Sequence, residues 1–391
     1  MLAAQPVVAQ ITKPGIGDGR VSPFYSWNQA LPAKPGVLLR SEPLPAELGL
    51  SEAGEQKRIL YTSTDGVTNQ GGLTVSGALF LPKGSPPAGG WPLIAWAHGT
   101  VGIADICAPS WSSRSVRDQA YLNAWLKRGY AIVATDYQGL GTPGTHPYNQ
   151  MRPEAYGVLD SIRAVTAADR RLSRKVVVIG QSQGGGASYS TAVTQPSYAP
   201  DVTLLGAVAT GTPYIIPSVL TASKTDPNKV DPALAYLFYF AWTASDGADA
   251  TAFFTPRAAL SVNAARTACI FQSESNVTIT KLTAANTVQP KPFLGMFVRA
   301  LPKFAYASLK PNVPLFLGTG TADADVAPAA QRQLVKDSCA AGARIDYHQY
   351  EGEDHSGAFL ASLKDAEAFV DTLFAGGIVP NTCVSGAVRP A

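Results

Sequence analysis

Apolar residues along this chain fall into short runs, interrupted at intervals by glycine, proline and small polar residues. Lys57–Thr64, Leu73–Leu81, Trp91–Ala97, Tyr130–Asp136, Val176–Ile179, Val202–Ala209, Val313–Gly318 and Arg344–Tyr350 have the length and β-branched or aromatic content of strands. Asp118–Lys127, Tyr156–Arg170, Ala327–Ala340 and Ser362–Phe374 show helical spacing between them. Strands alternating with such helices predict a mainly parallel sheet covered on both faces, an α/β architecture. Prolines at 6, 14, 23, 32, 35, 43 and 45 predict that residues 1–55 form an irregular wrap. The alternation also stops between 214 and 305. There Pro232–Ala244, Phe253–Ala265 and Pro292–Leu301 are apolar runs of helical character. The expected organisation is a core of 56–213 and 306–391, with 214–305 as a helical cap inserted after the sixth strand.

Composition narrows the function. Charged residues are 15% of the 391 and the net charge is +3, against about 25% charged in an average globular chain. Without a Lys/Arg cluster, nucleic acid is excluded as the main partner. Cys107, Cys269, Cys339 and Cys383 form no C-x-x-C pair and there are only four histidines. A zinc site is therefore not expected, and no metal or organic cofactor is implied. Four cysteines permit two disulfides, with three possible pairings. No apolar run is long enough to span a membrane. The first ten residues, MLAAQPVVAQ, lack the basic and long apolar regions of a signal peptide and suit a trimmed remnant of one.

The run Val176–Ile179 leads into Gly180-Gln181-Ser182-Gln183-Gly184 and then small residues. This fits Gly-x-Ser-x-Gly between strand and helix, the turn that presents a serine nucleophile. A serine hydroxyl needs a base, and on such a sheet the order is Ser, acid, His. His348 sits within the strand IDYHQY, whereas His355 lies in the loop after it, where a parallel sheet presents its chemistry. His355 is the expected general base. Asp323 and Asp325 both follow the strand VPLFLG. Asp323 is favoured as the acid, with Asp325 in reserve or capping the next helix. Oxyanion donors are expected from the N–H of Gln183 and from the loop His98-Gly99-Thr100, with Thr100 assigned and Gly99 the alternative. His98 is expected to prop that loop, and His146 to be structural or pocket-lining.

The segments AHGT, CAPS at 107–110, GQSQGG, GTADADVAP and YEGEDHSGAF resemble the α/β-hydrolase superfamily. More narrowly they resemble the secretory lipase family, fungal lipase A-like, which has bacterial members. The resemblance runs from about residue 35 to 385. It implies the α/β-hydrolase fold, the triad Ser182, Asp323 and His355, secretion or a periplasmic location, and disulfides Cys107–Cys269 and Cys339–Cys383. The family's acid is usually followed closely by Val-Pro; here Asp323 and Asp325 precede Val326-Ala327-Pro328, so Asp325 stays open. The function implied is a lipase or esterase cleaving lipid or other hydrophobic esters. An acyltransferase or peptidase with the same triad is the alternative, and a non-catalytic binding protein on this fold a remote one. Phe238, Tyr239, Phe240 and Trp242 are expected to line the substrate pocket or to form the cap's own core. The same apolar run could make transient contact with a lipid interface.

Overall fold

A computed structural model of the chain describes residues 19–216, 226–245 and 247–385. The reading of the first ten residues therefore lies outside the described residues. Nine strands form one sheet: β1 Leu38–Pro43, β2 Ala53–Thr64, β3 Gly72–Pro82, β4 Trp91–Ala97, β5 Ala131–Thr135, β6 Leu172–Gln181, β7 Thr203–Thr210, β8 Leu315–Gly320 and β9 Ile345–Tyr350. Their order is β1-β2-β3-β5-β4-β6-β7-β8-β9. From β5 to β9 all pairs are parallel, while β1, β2 and β3 join antiparallel at one side. The mainly parallel sheet expected from the alternation is present.

The central strands explain why their sequences are continuously apolar. Val176 and Val178 of β6 enter the core on one face, and Val177 and Ile179 enter the core on the other. With side chains alternating across the sheet, a strand covered on both faces has no position left for a polar residue.

Helices α1 Val116–Lys127, α2 Met151–Ala168 and α3 Gln183–Tyr198 follow β4, β5 and β6. α1 begins at the N-cap Ser115, whose side chain accepts from the Asp118 N–H. α2 starts five residues before the expected Tyr156. Pro153 stands in its first turn, where a missing N–H costs nothing, so the proline does not delay the helix.

Three sequence expectations are corrected here. The segment 1–55 is not irregular throughout, because Leu38–Pro43 forms the edge strand β1 and β2 starts at Ala53. Pro43 is tolerated because it ends an edge strand, where no second partner needs its N–H. This added strand also makes the insertion follow the seventh strand, not the sixth. His355 is not in a loop; it is the first residue of a short helix.

Between β7 and β8 lie α4 Leu234–Ala244, α5 Ala259–Ala264, α6 Ile270–Ile279, α7 Ala284–Thr287 and α8 Pro290–Phe304. They enclose their own apolar cluster, with Phe238, Tyr239, Phe254, Phe297 and Phe304 buried. A disulfide joins Cys107, before α1, to Cys269 at the start of α6. Beside it Gly102 and Cys269 make a β-bridge, and the Ile270 N–H donates to Val101 O at 2.8 Å. The loop after β4 and these helices are thus held together covalently and by backbone bonds.

α9 Pro328–Ala340 follows β8, and α10 His355–Ala361, α11 Leu363–Phe374 and α12 Thr382–Ser385 follow β9. A second disulfide joins Cys339 of α9 to Cys383 of α12. Both pairings are those implied by the family resemblance. The outer edge of β9 is covered by the C-terminal segment. Asn381 and Thr382 accept from the N–H groups of Ile345 and Tyr347, and Thr382 returns a bond to Ile345 O. Among the described residues no helix is long and apolar enough to cross a membrane.

Candidate active site

Ser182 stands between β6 and α3 with φ 62° and ψ −124°. A non-glycine residue at such φ is strained, and the surrounding structure must hold it there. Backbone on both sides does so. A Cβ on Gly184 would come 1.9 Å from Ala97 O, and one on Gly180 would come 2.0 Å from Gly184 O. Only glycine permits this closeness at either position. The Ser182 N–H donates to Thr210 O at 2.9 Å, tying the turn to the end of β7.

His355 follows β9 and is fixed from two sides. Asp354 caps its helix, accepting from the N–H groups of Ser356 and Gly357. Its ring places Nδ1 2.7 Å from Asp323 Oδ2. Asp323 is 5% exposed, and its other oxygen accepts from the N–H groups of Asp325 and Val326. Gly211 passes beneath the ring, where an added Cβ would lie 2.7 Å from Cε1. His355 and Ser182 line one cavity. Asp325 reaches the surface of that cavity and does not cap α9, whose N-cap is Ala327. Loss of water to the surrounding walls pushes the Asp325 carboxyl above its ordinary range, and Asp323 adds to this while His355 pulls it back. His348 remains on β9 as expected, 3.0 Å from Asp346 Oδ1 and away from Ser182's cavities.

Gly99 packs against the serine turn; a Cβ there would lie 3.0 Å from Gln181 Oε1 and 3.6 Å from Ser182 Cβ. His98 is buried, with Nδ1 2.7 Å from Gly99 O and Nε2 3.3 Å from Asp136 O. Burial pulls its pKa down, while the bonds to the Gly99 and Asp136 carbonyls oppose that shift. Thr100 is anchored by a 2.8 Å bond between its Oγ1 and the Tyr148 hydroxyl.

A second, larger cavity of about 800 Å³ meets Ser182 under the inserted helices. Tyr148, Ile215, Leu237, Phe240 and Phe297 give it apolar walls. Of the four aromatic residues expected to line the pocket, only Phe240 does so. Phe238 and Tyr239 are fully buried in the inserted helices' own core, Phe238 edge-on to Phe254. Trp242 donates its indole N–H to Val262 O at 2.7 Å within the same group of helices. On an 11-residue helix one face must fill that core, and Phe240 alone of the four falls on the other.

The model of the secretory lipase family matches residues 111–230, which include Ser182. The chain is 23% identical to Lipase A of Moesziomyces aphidis over 90% of its own length and 80% of that protein's. Its fold matches Candida antarctica lipase A in its closed state with a TM-score of 0.74, at 20% identity, covering 95% of this chain and 91% of that one. The chain has the α/β-hydrolase fold and is similar to the secretory lipases. The same fold also matches a rice cell wall degrading esterase, LipA from Xanthomonas oryzae, with a TM-score of 0.68 at 19% identity, covering 88% and 100% of the two chains.

Several residues of the candidate site carried no signal in the sequence. Gln331 donates to Asp323 Oδ2 at 2.9 Å and accepts from Thr319 Oγ1 at 2.9 Å. Gln181 donates to His355 O at 3.2 Å and accepts from Arg117 at 3.1 Å, and Arg117 also reaches Ser356. Only Gln181, inside the serine motif, could have been suspected. Gln331 and Arg117 sit on helices where spacing shows only an ordinary polar position.

Proposed function

We propose that this chain is a serine carboxylic ester hydrolase that works through an acyl-enzyme on Ser182. The observation that carries the reading is the 2.7 Å contact between His355 Nδ1 and buried Asp323 Oδ2, beside a cavity that Ser182 shares. Asp323 accepts a hydrogen bond from Nδ1–H, which keeps the proton on Nδ1 and leaves Nε2 bare to take the proton of Ser182 Oγ. The oxygen attacks the ester carbonyl carbon, and the negative charge moves to the carbonyl oxygen. The N–H of Gln183, at the start of α3, and that of Thr100, with Gly99 the alternative, receive that charge. Collapse expels the alcohol, which takes the proton from His355. Water then repeats the sequence and releases the acid.

The larger, apolar cavity suits the acyl chain, with Tyr148, Leu237, Phe240 and Phe297 as its walls. The lipase relatives support hydrophobic esters as substrates. Phe271 of α6 and Leu294 and Val298 of α8 are exposed on the inserted helices, a surface suited to brief contact with lipid. Two disulfides and the secretory relatives support an extracellular or periplasmic location.

The test is hydrolysis of p-nitrophenyl esters from acetate to palmitate by wild type and Ser182→Ala. Activity that the variant lacks is expected. No cleavage of any ester by wild type sinks the reading, and full activity in Ser182→Ala sinks the nucleophile.

A further inference from the structure

Gln183, the residue after the nucleophile, is tied down from beneath by two groups that the reaction scheme leaves unused. Its side chain is buried. Nε2 donates to Glu154 Oε1 of α2 at 2.8 Å and lies 2.9 Å from Nε2 of His146. On its far side, His146 places Nδ1 2.9 Å from Gln138 O. A carbonyl only accepts, so Nδ1 carries the ring proton and Nε2 is a bare acceptor for the second amide hydrogen of Gln183. Both hydrogens of the amide are therefore committed, one to α2 and one to the loop after β5.

The electrostatics fit neutral partners. Burial lowers His146 to about 3 and raises Glu154 to about 8. Glu154 Oε2 and Gln183 Oε1 are buried acceptors without a hydrogen-bond partner. A proton on Oε2 turns one of them into a donor. The other titratable groups that feel Glu154 are Tyr137, Tyr148 and Tyr306, all phenols raised by burial and so uncharged. His146 is neutral too, so none of these neighbours is a cation that would offset a charge on Glu154.

We propose that Glu154 and His146 are positioning residues for the oxyanion donor: by holding both amide hydrogens of Gln183 they fix the Ser182–Gln183 peptide and keep its N–H aimed at the oxyanion. The inference rests on the acyl-enzyme reading of the same site. Ser182 occupies a sparsely populated backbone region, which relaxes unless its surroundings over-determine it. Gln183 is the next residue, and its side chain ties that peptide to α2 and to the loop after β5, beside the bond from the Gly186 N–H to Ser182 O.

The experiment measures kcat and KM on p-nitrophenyl butyrate, and the affinity for phenylboronic acid, which forms a tetrahedral adduct at an active serine. Glu154→Leu and Gln183→Met are each expected to lower kcat about 10- to 100-fold with KM within about twofold, and to weaken the boronate in proportion. The double variant should fall no further than the worse single one. Glu154→Gln keeps the acceptor and supplies an uncharged donor, so it should stay within about threefold of wild type. It should also lack a fall in wild-type kcat as pH rises through about 8. A folded Glu154→Leu with wild-type kcat and boronate affinity overturns the proposal, as does a Glu154→Gln as impaired as Glu154→Leu. Should Glu154→Leu fail to fold, Gln183→Met decides, because it keeps the backbone N–H; wild-type kcat there overturns the proposal. Inactive wild type overturns the underlying reading as well, whereas active wild type with unaffected variants overturns this one alone.

Discussion

Gln331 donates its side-chain amide to Asp323 Oδ2, the same carboxylate oxygen that His355 Nδ1 approaches. Two backbone N–H groups meanwhile hold Oδ1. The Asp323 carboxylate is therefore fixed at both oxygens, whereas Asp325 is open to the cavity. Asp323→Asn is expected to lower kcat about 10³- to 10⁴-fold, because an amide that presents N–H to His355 favours the wrong tautomer. Asp325→Asn should cost less than about tenfold. Equal losses in a side-by-side measurement would remove Asp323 from the role proposed for it.

Gln331→Leu should leave the acid in place but free to turn. Its expected effect is a fall in kcat of about tenfold, with KM unchanged. A loss of thermal stability alone, at wild-type kcat, would show that the bond serves folding only.

Phe240 and Phe238 are two residues apart on α4: Phe238 is enclosed in the apolar cluster of the inserted helices, whereas Phe240 packs on that cluster and also faces the cavity. Phe240→Ala should shift the acyl-chain preference while leaving the fold intact. Phe238→Ala should instead destabilise the protein by about 3–5 kcal/mol, because it opens a cavity in a closed cluster. Chain-length profiles and urea unfolding of the two variants read the contrast directly.

His348 carries a pH dependence of stability. It stacks on Phe316, with Asp346 of its own strand 3.0 Å away and Asp365 of α11 at 3.6 Å. The Asp346 bond holds its pKa above the ordinary histidine value of 6.5, against partial burial. A raised value in the folded state means that the protonated ring stabilises the fold. That contribution is complete below about 6.5 and disappears as pH rises through the folded value. The melting temperature of wild type should exceed that of His348→Gln at pH 5.5, and the gap should narrow toward pH 9. A gap that widens with pH would contradict the assigned sign.

Removing the Cys107–Cys269 bond, which spans 162 residues of chain, should cost about 2–4 kcal/mol. The Cys107→Ala/Cys269→Ala variant should also lose activity at temperatures well below its midpoint, since the bond ties the loop that follows Thr100 to the inserted helices. Coincident activity and unfolding curves would restrict the bond to a stabilising role.

Much of the fold was legible because its strands are buried on both faces. Val176–Ile179 and Trp91–Ala97 are apolar at almost every position, and no other environment asks for that. β1 was hidden by the opposite circumstance. As an edge strand half open to water, it follows Leu38 and Leu39 with Arg40, Ser41 and Glu42 between prolines, too short an apolar run to read as a strand. At the site, Ser182 stood out because glycine is required at Gly180 and Gly184 on backbone grounds. His355 and Asp323 could be placed by their order after strands. Gln331, Glu154 and His146 could not, because what matters about them is a contact across 8 to 37 positions of sequence. The aromatic run of α4 misled for a related reason: its composition shows that it is buried, but not whether substrate or protein buries it.

The cover over β9 has a meaning beyond the stability of the C-terminus. An uncapped outer strand is a template on which another chain can add. Here Asn381 and Thr382 occupy part of that row of backbone groups, and the Cys339–Cys383 bond keeps them seated. At the opposite edge, β1 discourages addition with charge and Pro43. In a reducing environment the first hazard for this protein would therefore be self-association along β9, while the serine turn at the end of β6, three strands inward, was still intact.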